Sequence, residues 1–446
     1  MRLNHLVLAR NLLTSSLGLI AMASSAQAAE NSAPPTYVMP TAWAIAPISD
    51  RWSATFASAA RYYSWVSTRG VPANVNDHRG SGSQVYVPYA LQVVGQPSDD
   101  IKIEMLGRAG WVSSRQSTLG LNGEVQTFTD TLASGTVTYL GLGGIQPFVS
   151  LNLNLPTGRS ALFGKAANAR MDPDLVEIGN FGEGWNIGPS IGANLALSEK
   201  LIATIAVGQT WRGAFDRENS LVTTSNYRDN QQVTGVDPGD VFSLTGSIAY
   251  RSGPWSMKIN GTVSSETTTR ENGVALYRPG ISYGAGASAD YAWQDGWGVS
   301  TVTANYSRSG PNNVKFLGSD HLVVEPFNMN SNLYRAGFQH LWSAGNLWFG
   351  PVGSVLYRDR NGYESGTLQF VPAKQGYSAG VVALWAQGNG LSFDFRAEHA
   401  WLREGATTAI NGQMYSVLAN GYVLNEAAPI LSSRGWRLSG GLNFRL

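Results

Sequence analysis

Three residue types of a nucleophilic triad stand together in the segment GSDH, where Ser319, Asp320 and His321 follow one another. A further acid and histidine, Asp77 and His78, are adjacent in the segment NDH. Nucleophilic catalysis needs a base within hydrogen-bond reach of the nucleophile and a third group that orients the base. Neighbouring residues of one loop rarely meet that geometry. We therefore predict that the protein is not an enzyme and has no catalytic residues.

Candidate metal ligands are also few. Asp172 and Asp174 flank Pro173 and could supply oxygen ligands to calcium. Two carboxylates in one loop are more often simply hydrated. The chain contains no cysteine, which excludes thiolate metal sites and disulfides. We therefore predict no metal site and no cofactor.

Charged and amide side chains recur at every second position of several apolar segments. In LSFDFRAEHAW, residues 391–401, Phe393 and Phe395 alternate with Asp394 and Arg396. Successive side chains of a strand point to opposite faces, so one face of such a strand meets hydrocarbon and the other meets water. We predict that the polar side chains of these segments line a water-filled passage. They are Lys102, Glu104, Arg108, Asn152, Asn154, Lys258, Asp290, Arg335, Asp394, Arg396 and Glu398.

The segment FVSLNLNLPTG, residues 148–158, shows the same pattern with asparagine. Its leucines alternate with Asn152 and Asn154. A soluble sheet with one buried face produces this alternation, and so does the wall of a membrane pore. The connections between strands and the aromatic residues decide between the two.

Sixteen candidate strands follow one another along the chain, and helical patterns are nearly absent. Short turns such as QPSDD, SEK and SGP alternate with longer connections, including 158–184, 214–239 and 405–433. Membrane barrels have short turns on the periplasmic side and longer loops on the extracellular side. The predicted strands are 53–66, 84–96, 100–115, 124–140, 145–157, 185–197, 201–213, 240–252, 255–269, 277–294, 297–309, 332–343, 347–358, 374–386, 391–404 and 434–446.

Tryptophan is concentrated at the ends of these strands. Any single tryptophan there could be ordinary core packing, but eight of them form a pattern. Aromatic girdles at both membrane interfaces are typical of transmembrane barrels. The eight residues are Trp111, Trp211, Trp255, Trp293, Trp297, Trp342, Trp401 and Trp436.

The composition agrees with a membrane barrel. Charged residues make up 14% of the chain, against about 25% in an average soluble protein. After the amino-terminal segment no apolar run has the length of a membrane-spanning helix, and only helices and closed barrels satisfy every backbone polar group in lipid. The net charge of +1 argues against a nucleic-acid partner. We predict an all-β, transmembrane, antiparallel up-and-down β-barrel of about 16 strands, within a range of about 12 to 18.

The amino terminus has the pattern of a secretory signal peptide. Arg2 and Arg10 are followed by a short apolar stretch, and the small-x-small segment at 26–28 marks a cleavage site. The apolar stretch is too short to span a bilayer. The predicted organisation is a signal peptide at 1–28, a periplasmic amino-terminal segment at 29–52 and a transmembrane barrel at 53–446.

The strand order and the loop after the fifth strand resemble those of the sixteen-stranded porins of Gram-negative bacteria, whose third loop folds inward and narrows the pore. Here that loop is residues 158–184, and its NFGEG segment is similar to the acidic, glycine-rich loop motif of the porins. The segment LPTG, 155–158, also resembles outer-membrane proteins of the meta-pathway of phenol degradation. The resemblance to porins implies a constriction formed by Lys165, Arg170, Asp172, Asp174, Glu177 and Glu183. The alternative, in which these charges are merely hydrated on an exposed loop, stays open.

The final segment, GWRLSGGLNFRL, alternates to the last residue and resembles the carboxy-terminal signal strand of bacterial outer-membrane proteins. Such strands are read by the outer-membrane barrel assembly machinery. They usually end in Phe or Trp, whereas here Leu446 is last and Phe444 lies two residues before it. The resemblance implies contact with outer-membrane lipid and lipopolysaccharide, and it allows a homotrimer.

These observations predict a channel of the bacterial outer membrane for passive diffusion or facilitated uptake of small solutes. Two other functions remain as alternatives, namely an export or secretion barrel with separate periplasmic partners, and an outer-membrane enzyme. Export barrels usually carry periplasmic modules. The predicted amino-terminal segment is too short and too rich in proline for such a module, but partners could supply it.

Overall fold

The protein is described by a computed structural model at residues 51–68, 80–118, 121–218, 233–294, 297–315, 320–365, 367, 369–387, 390–406 and 430–445. The predicted signal peptide, nearly all of the predicted amino-terminal segment, and Asp77, His78 and Ser319 lie outside the described residues.

The described chain is almost entirely strand, with one short 3₁₀ helix at Gly164–Ala169. No helix among the described residues is long and apolar enough to cross a membrane. The strands are β1 (Trp52–Ser67), β2 (Gly80–Ser98), β3 (Ile101–Thr118), β4 (Leu121–Phe128), β5 (Thr131–Tyr139), β6 (Ile145–Leu155), β7 (Asn186–Ser198), β8 (Leu201–Arg212), β9 (Phe215–Glu218), β10 (Val233–Asp237), β11 (Val241–Ser252), β12 (Trp255–Glu266), β13 (Thr269–Glu271), β14 (Val274–Arg278), β15 (Ser282–Ala292), β16 (Val299–Ser309), β17 (Asn313–Val314), β18 (Val323–Val324), β19 (Leu333–Ala344), β20 (Leu347–Arg358), β21 (Lys374–Ala386), β22 (Leu391–Glu404) and β23 (Leu431–Arg445).

Seventeen of these strands form one closed antiparallel barrel. Each wall strand pairs with the next along the chain, and β23 closes the barrel on β1 through a ladder that runs from Thr55 opposite Arg445 to Ser67 opposite Ser433. Both β4 and β5 pair with β3, so together they fill one position of the wall. The barrel therefore has sixteen wall positions, which confirms the predicted architecture. A barrel of this size is wide enough to leave an aqueous interior.

Along each wall strand, successive side chains point alternately outward and into the barrel, as expected for a β-strand. On the outside Val149, Ile191 and Ile259 are 60%, 61% and 64% exposed, whereas on the inside Ser150 and Glu398 are only 2% and 5% exposed. Exposing such aliphatic side chains to water would be costly, at about 25 cal/mol per Å² of apolar surface. An apolar outer face around a closed barrel is the arrangement that a lipid bilayer requires.

A second, six-stranded sheet continues beyond one end of the barrel, in the order β18-β17-β14-β13-β10-β9. It is built from the long connections that follow β8, β12 and β16. Its central hairpin turns at Asn272 and Gly273, both with positive φ (48° and 80°), between the paired residues Glu271 and Val274. An Asn-Gly pair is the preferred sequence for this two-residue turn because both positions need a left-handed backbone.

The predicted strand over 124–140 is interrupted. The structure divides it into β4 and β5, with Thr129 and Asp130 between them. Asp130 explains the interruption, because its carboxylate binds the backbone N–H groups of Gly158 and Glu183 in the connection between β6 and β7.

Candidate functional site

The connection from β6 to β7, residues 156–185 and here called the inner loop, crosses the interior of the barrel. It leaves the wall between the fifth and sixth strand positions. Its residues nevertheless bond to inward-facing side chains of β1, β2, β3, β19, β21 and β23, which lie at the first to third and twelfth to sixteenth positions. Only a path through the lumen connects these places.

The neck of the inner loop is held by Asp130. Its carboxylate accepts hydrogen bonds from the backbone N–H groups of Gly158 (2.9 Å) and Glu183 (2.7 Å), the two ends of the loop. The side-chain amide of Asn154 donates to the same carboxylate (2.9 Å) and to the carbonyl of Gly184 (2.7 Å). The two ends cross so closely that a Cβ on Gly158 would lie 1.9 Å from the carbonyl oxygen of Phe181, so only glycine fits there.

One side of the inner loop is attached to β1 and β2. Glu177 accepts hydrogen bonds from the Arg61 guanidinium and from the Tyr63 hydroxyl (2.5 Å). Gln84 pairs with the backbone of Ile178 in both directions, donating to its carbonyl (2.8 Å) and accepting from its N–H (2.9 Å). Charged and amide side chains of the wall thus satisfy the polar groups of the loop, as buried polar groups require.

The tip of the inner loop, at Asp172 and Asp174, is attached to a second group of wall strands, namely β19, β21 and β23. The Lys374 ammonium lies 2.7 Å from Asp174 and 3.3 Å from Asp172. Arg335 lies 3.7 Å from Asp174, and Arg437 donates to the Asp174 carbonyl (2.9 Å). The side chain of Lys374 is only 3% exposed, so its charge is screened by these carboxylates rather than by water.

Two apolar clusters reinforce the polar attachments. In the first, Met171, Leu175 and Val176 of the inner loop pack on Tyr63 and Trp65 of β1. In the second, Leu162, Ala169 and Phe181 of the loop pack on Val112 and Val125. Complete burial of one such large side chain is worth about 1.5 to 3 kcal/mol. The inner loop is therefore a packed part of the fold.

The loop is also tied to the sheet beyond the barrel. Glu218 on β9 accepts hydrogen bonds from the Arg170 guanidinium (3.1 Å from Nη2) and from the N–H of Leu162 (3.0 Å). Burial by itself would raise the pKa of Glu218, but the hydrogen bonds and the positive charge of Arg170 outweigh burial, so the pKa of this carboxyl is lowered. Arg170 also donates to Asn180 (2.9 Å), which orders the NFGEG segment.

The structure brings five of the six predicted constriction residues into contact with other groups. Arg170, Asp172, Asp174 and Glu177 bond as described above, and Glu183 lies 3.9 Å from Arg212 on β8. Lys165 is exposed, without a hydrogen bond or ion pair among the described residues. The acids of the loop thus lie inside the barrel and are largely neutralised by the wall. Their effect on a solute stays a prediction.

The predicted lining residues all lie on wall strands, on the face opposite the exposed apolar side chains. Several are paired. Lys102 lies 3.0 Å from Glu104, Arg396 bonds to Glu398, and Asp290 accepts a hydrogen bond from Thr301 (2.7 Å). The strand registers also place the other predicted lining residues on the inward face. They are Arg108, Asn152, Asn154, Lys258, Arg335 and Asp394. Whether they line the path of a solute stays a prediction.

The interior has two halves of different character. The inner loop lies against β19–β23 and β1–β3, here called the covered half, where the wall contributes arginine, lysine, tyrosine and tryptophan. Strands β4, β5 and β6 adjoin the neck of the inner loop and belong to neither half. Strands β7, β8, β11, β12, β15 and β16, here called the uncovered half, present small hydroxyl and amide side chains. These include Ser190, Thr204, Ser243, Thr245, Ser247, Asn260, Thr262, Ser264, Ser288, Thr301, Thr303 and Asn305.

Charges are sparse on the uncovered half. Arg212 and Glu266 pair at its loop end (3.1 Å). Lys258 on β12 has no hydrogen bond or ion pair within the described part of the chain. Asn260, one inward position further, is an exposed side chain, so this part of the wall borders open space. No cluster of three or more His, Asp or Glu side chains suited to a metal ion is found among the described residues.

Sequence reasoning missed the wall residues that hold the inner loop, chiefly Arg61, Gln84, Asp130, Lys374 and Arg437. One signal was available. The first and fourth predicted strands alternate poorly, and these are the strands that carry Arg61, Tyr63 and Asp130. A strand whose inner face must bind a loop cannot keep a simple polar pattern.

Several solved outer-membrane proteins are similar to this chain at low identity. The COG4313 outer membrane channel from Pseudomonas putida F1 has 15% identity and a TM-score of 0.36, with 66% of this chain and 97% of that chain covered. Pseudomonas aeruginosa OpdQ has 9% identity and a TM-score of 0.41, with 89% and 98% covered. OmpF of Salmonella typhi, in a complex with daunomycin, has 11% identity and a TM-score of 0.36, with 88% and 97% covered. Similarity at this level does not identify a function.

No protein-family model and no curated protein matches the sequence. The placement of the protein therefore follows from its own architecture. A closed antiparallel barrel of sixteen wall positions, with an apolar outer face, short turns at one end and long connections at the other, is the design of outer-membrane barrels. The chain is thus a transmembrane β-barrel with the architecture of outer-membrane barrels.

Proposed function

We propose that the protein is a passive outer-membrane channel for small, polar or amphipathic solutes. The observation that carries this proposal is the inner loop, which occupies one side of a sixteen-position barrel and is held there by buried ion pairs and two apolar clusters. A fixed loop narrows a passage without closing it.

The uncovered half supports a channel rather than a sealed barrel. Apart from Glu183 at the neck, no inner-loop side chain is found bonded to this half within the described residues. Its serine, threonine and asparagine side chains offer both donors and acceptors and little charge. Such a surface suits hydrated neutral or zwitterionic solutes better than strongly charged ones.

The direct test is single-channel conductance of the refolded chain, produced without residues 1–28, in a planar bilayer, followed by liposome swelling with neutral polar solutes of increasing size. We expect a steady open conductance and a permeation rate that falls with solute size. A barrel that conducts no ions would contradict the proposal.

Two neighbouring residues of β11 provide a matched pair of variants. Thr245 faces the interior of the uncovered half, and Leu244 faces outward. We expect Thr245→Trp to lower conductance by about a third or more, because pore diameter limits flow. Leu244→Trp adds the same bulk on the lipid side and should leave conductance unchanged. Equal effects of the two variants would contradict the proposed path.

A further inference from the structure

The outward face of the barrel carries charge at one end only. Every charged side chain on the outward face of the described wall strands lies toward the end with the long connections. These residues are Arg115, Glu124, Arg308, Arg403 and Arg434. The outward positions at the short-turn end are mostly aliphatic and aromatic, with Ser252, Ser300 and His340 among them. The two ends therefore face different surroundings.

Two of these arginines form a close pair. Arg403 lies opposite Ser432 in the ladder between β22 and β23, and Arg434 lies opposite Trp401. The two side chains are thus diagonal neighbours on one face, a relation that places Cα atoms about 7 to 8 Å apart. Both are exposed.

Neither arginine has a hydrogen bond or an ion pair within the described part of the chain. The other cross-strand neighbour of Arg403 is Gln375, and that of Arg434 is Val66. The nearby carboxylate of Glu404 points to the interior, where it lies 3.3 Å from Arg358. By contrast, outward-facing Arg115 is neutralised by Glu124 at 2.8 Å.

Like charges on neighbouring strands of one sheet face repel each other, most strongly when directly opposite. An anion bound between Arg403 and Arg434 would relieve that repulsion. The position of the pair indicates where that anion comes from. Trp401 and Trp436 lie on the same outward face, one position closer to the middle of the barrel than the arginines. Tryptophan belts mark the level of lipid headgroups, and the long connections of such barrels face the cell exterior.

We propose that Arg403 and Arg434 bind a phosphate group of an outer-leaflet lipid, namely a headgroup phosphate of lipopolysaccharide. The guanidinium group matches phosphate oxygens through two parallel hydrogen bonds, and two guanidiniums can share one phosphate. Because the site lies on the lipid side of the wall, it does not depend on conduction through the barrel.

The test compares the chain produced without residues 1–28 with its double variant Arg403→Gln/Arg434→Gln in detergent, after gel migration has shown that both form closed barrels. Lipid A is titrated in, and binding is followed by native mass spectrometry. We expect the double variant to lose about thirtyfold in affinity, in line with the usual contribution of two basic residues at an anionic lipid surface. Lipid A stripped of its phosphates should bind both proteins equally.

The control is Arg308→Gln, which removes an outward arginine at the same end of the barrel but far from the pair. It should lose much less affinity than the double variant. Equal loss in Arg308→Gln, unchanged binding in the double variant, or equal binding of lipid A with and without phosphate would each overturn the proposal. A change of oligomeric state in the double variant with unchanged lipid binding would instead identify this face as a contact between subunits. The conductance of the double variant should equal that of the unmodified chain, so failure of the channel proposal would be recognised separately.

Discussion

The covered and uncovered halves of the barrel interior differ in what their charges do. In the covered half, Arg61, Arg335 and Lys374 each face a carboxylate of the inner loop. In the uncovered half, hydroxyl and amide groups predominate, and Lys258 has no partner among the described residues. A count of inward charges alone would therefore assign most of the ion selectivity to the covered half, where many of the charges already have an opposite charge beside them.

The physical reason is the cost of burying charge. A charged group that leaves water loses several kcal/mol of hydration, and it recovers this only with an opposed charge and further hydrogen bonds. In the covered half the loop supplies partners for Arg61, Arg335 and Lys374, and other charges pair with each other within the wall. In the uncovered half the wall stays next to water, so its groups need no protein partner and remain available to a solute.

The largest effect should come from removing the inner loop. Replacement of residues 160–182 by a short glycine-serine linker would leave the neck contacts of Asp130 in place. We expect single-channel conductance to rise about twofold or more, because the covered half would open to water. An unchanged conductance would mean that the loop does not narrow the passage, and would remove the distinction between the two halves.

Lys374→Met should detach the tip of the inner loop. Lys374 is buried among Asp172, Asp174 and Glu404, and its removal leaves these carboxylates without their main counter-charge. Breaking a buried pair in this way costs about 3 to 5 kcal/mol. We expect a lower thermal midpoint and faster proteolysis within 158–184. Lys165→Met is the matched control, since Lys165 is exposed and should change stability by less than about 0.5 kcal/mol.

Acidification should loosen the loop where it meets β9. The pKa of Glu218 is lowered in the fold, from its ordinary value of 4.5. Its stabilising contribution is therefore complete above that value and is lost as the pH falls through the lower folded pKa. Hydrogen bonds to a charged group are worth about 1.5 to 3 kcal/mol. We expect proteolysis of 158–184 by an acid-stable protease to increase progressively as the pH is lowered from 4.5.

Arg170→Ala tests the assignment of that pH response. Without the guanidinium, Glu218 loses its main stabilising partner and much of its pKa shift. The loop should then be cleaved faster at neutral pH, with a smaller further increase in acid. The same acid response in both proteins would show that another group is responsible.

The smallest effect concerns ion selectivity. Lys258→Gln removes an inward charge from the uncovered half, and we expect the ratio of cation to anion permeability to rise about twofold. Arg335→Gln removes a charge of the same sign from the covered half, where Arg335 faces Asp174. Reversal potentials measured in a salt gradient should change more for Lys258→Gln. A larger change for Arg335→Gln than for Lys258→Gln would mean that the covered half, and not the uncovered half, determines ion selectivity.

Much of the wall could be predicted because its signals are local. Because Leu151 and Asn152 are neighbours in a strand, they must point to opposite faces of the sheet. The structure places all sixteen predicted strands in the barrel. The break between β4 and β5 was not predicted, because Asp130 bonds to Gly158 and Glu183, which are far from it in sequence. The resemblance to porins indicated an inward loop, but it did not indicate which wall residues the loop would contact.

The sequence by itself determined the strand positions, the apolar outer face and the order of short and long connections, since a period of two residues and a turn are properties of neighbouring residues. Only the tertiary structure decided which charges are neutralised. Lys374 meets Asp172 across 202 positions of sequence, and Arg437 reaches Asp174 across 263. Such pairs form because closure of the barrel and folding of the inner loop bring residues that are distant in sequence into contact. A local sequence pattern contains no information about these contacts.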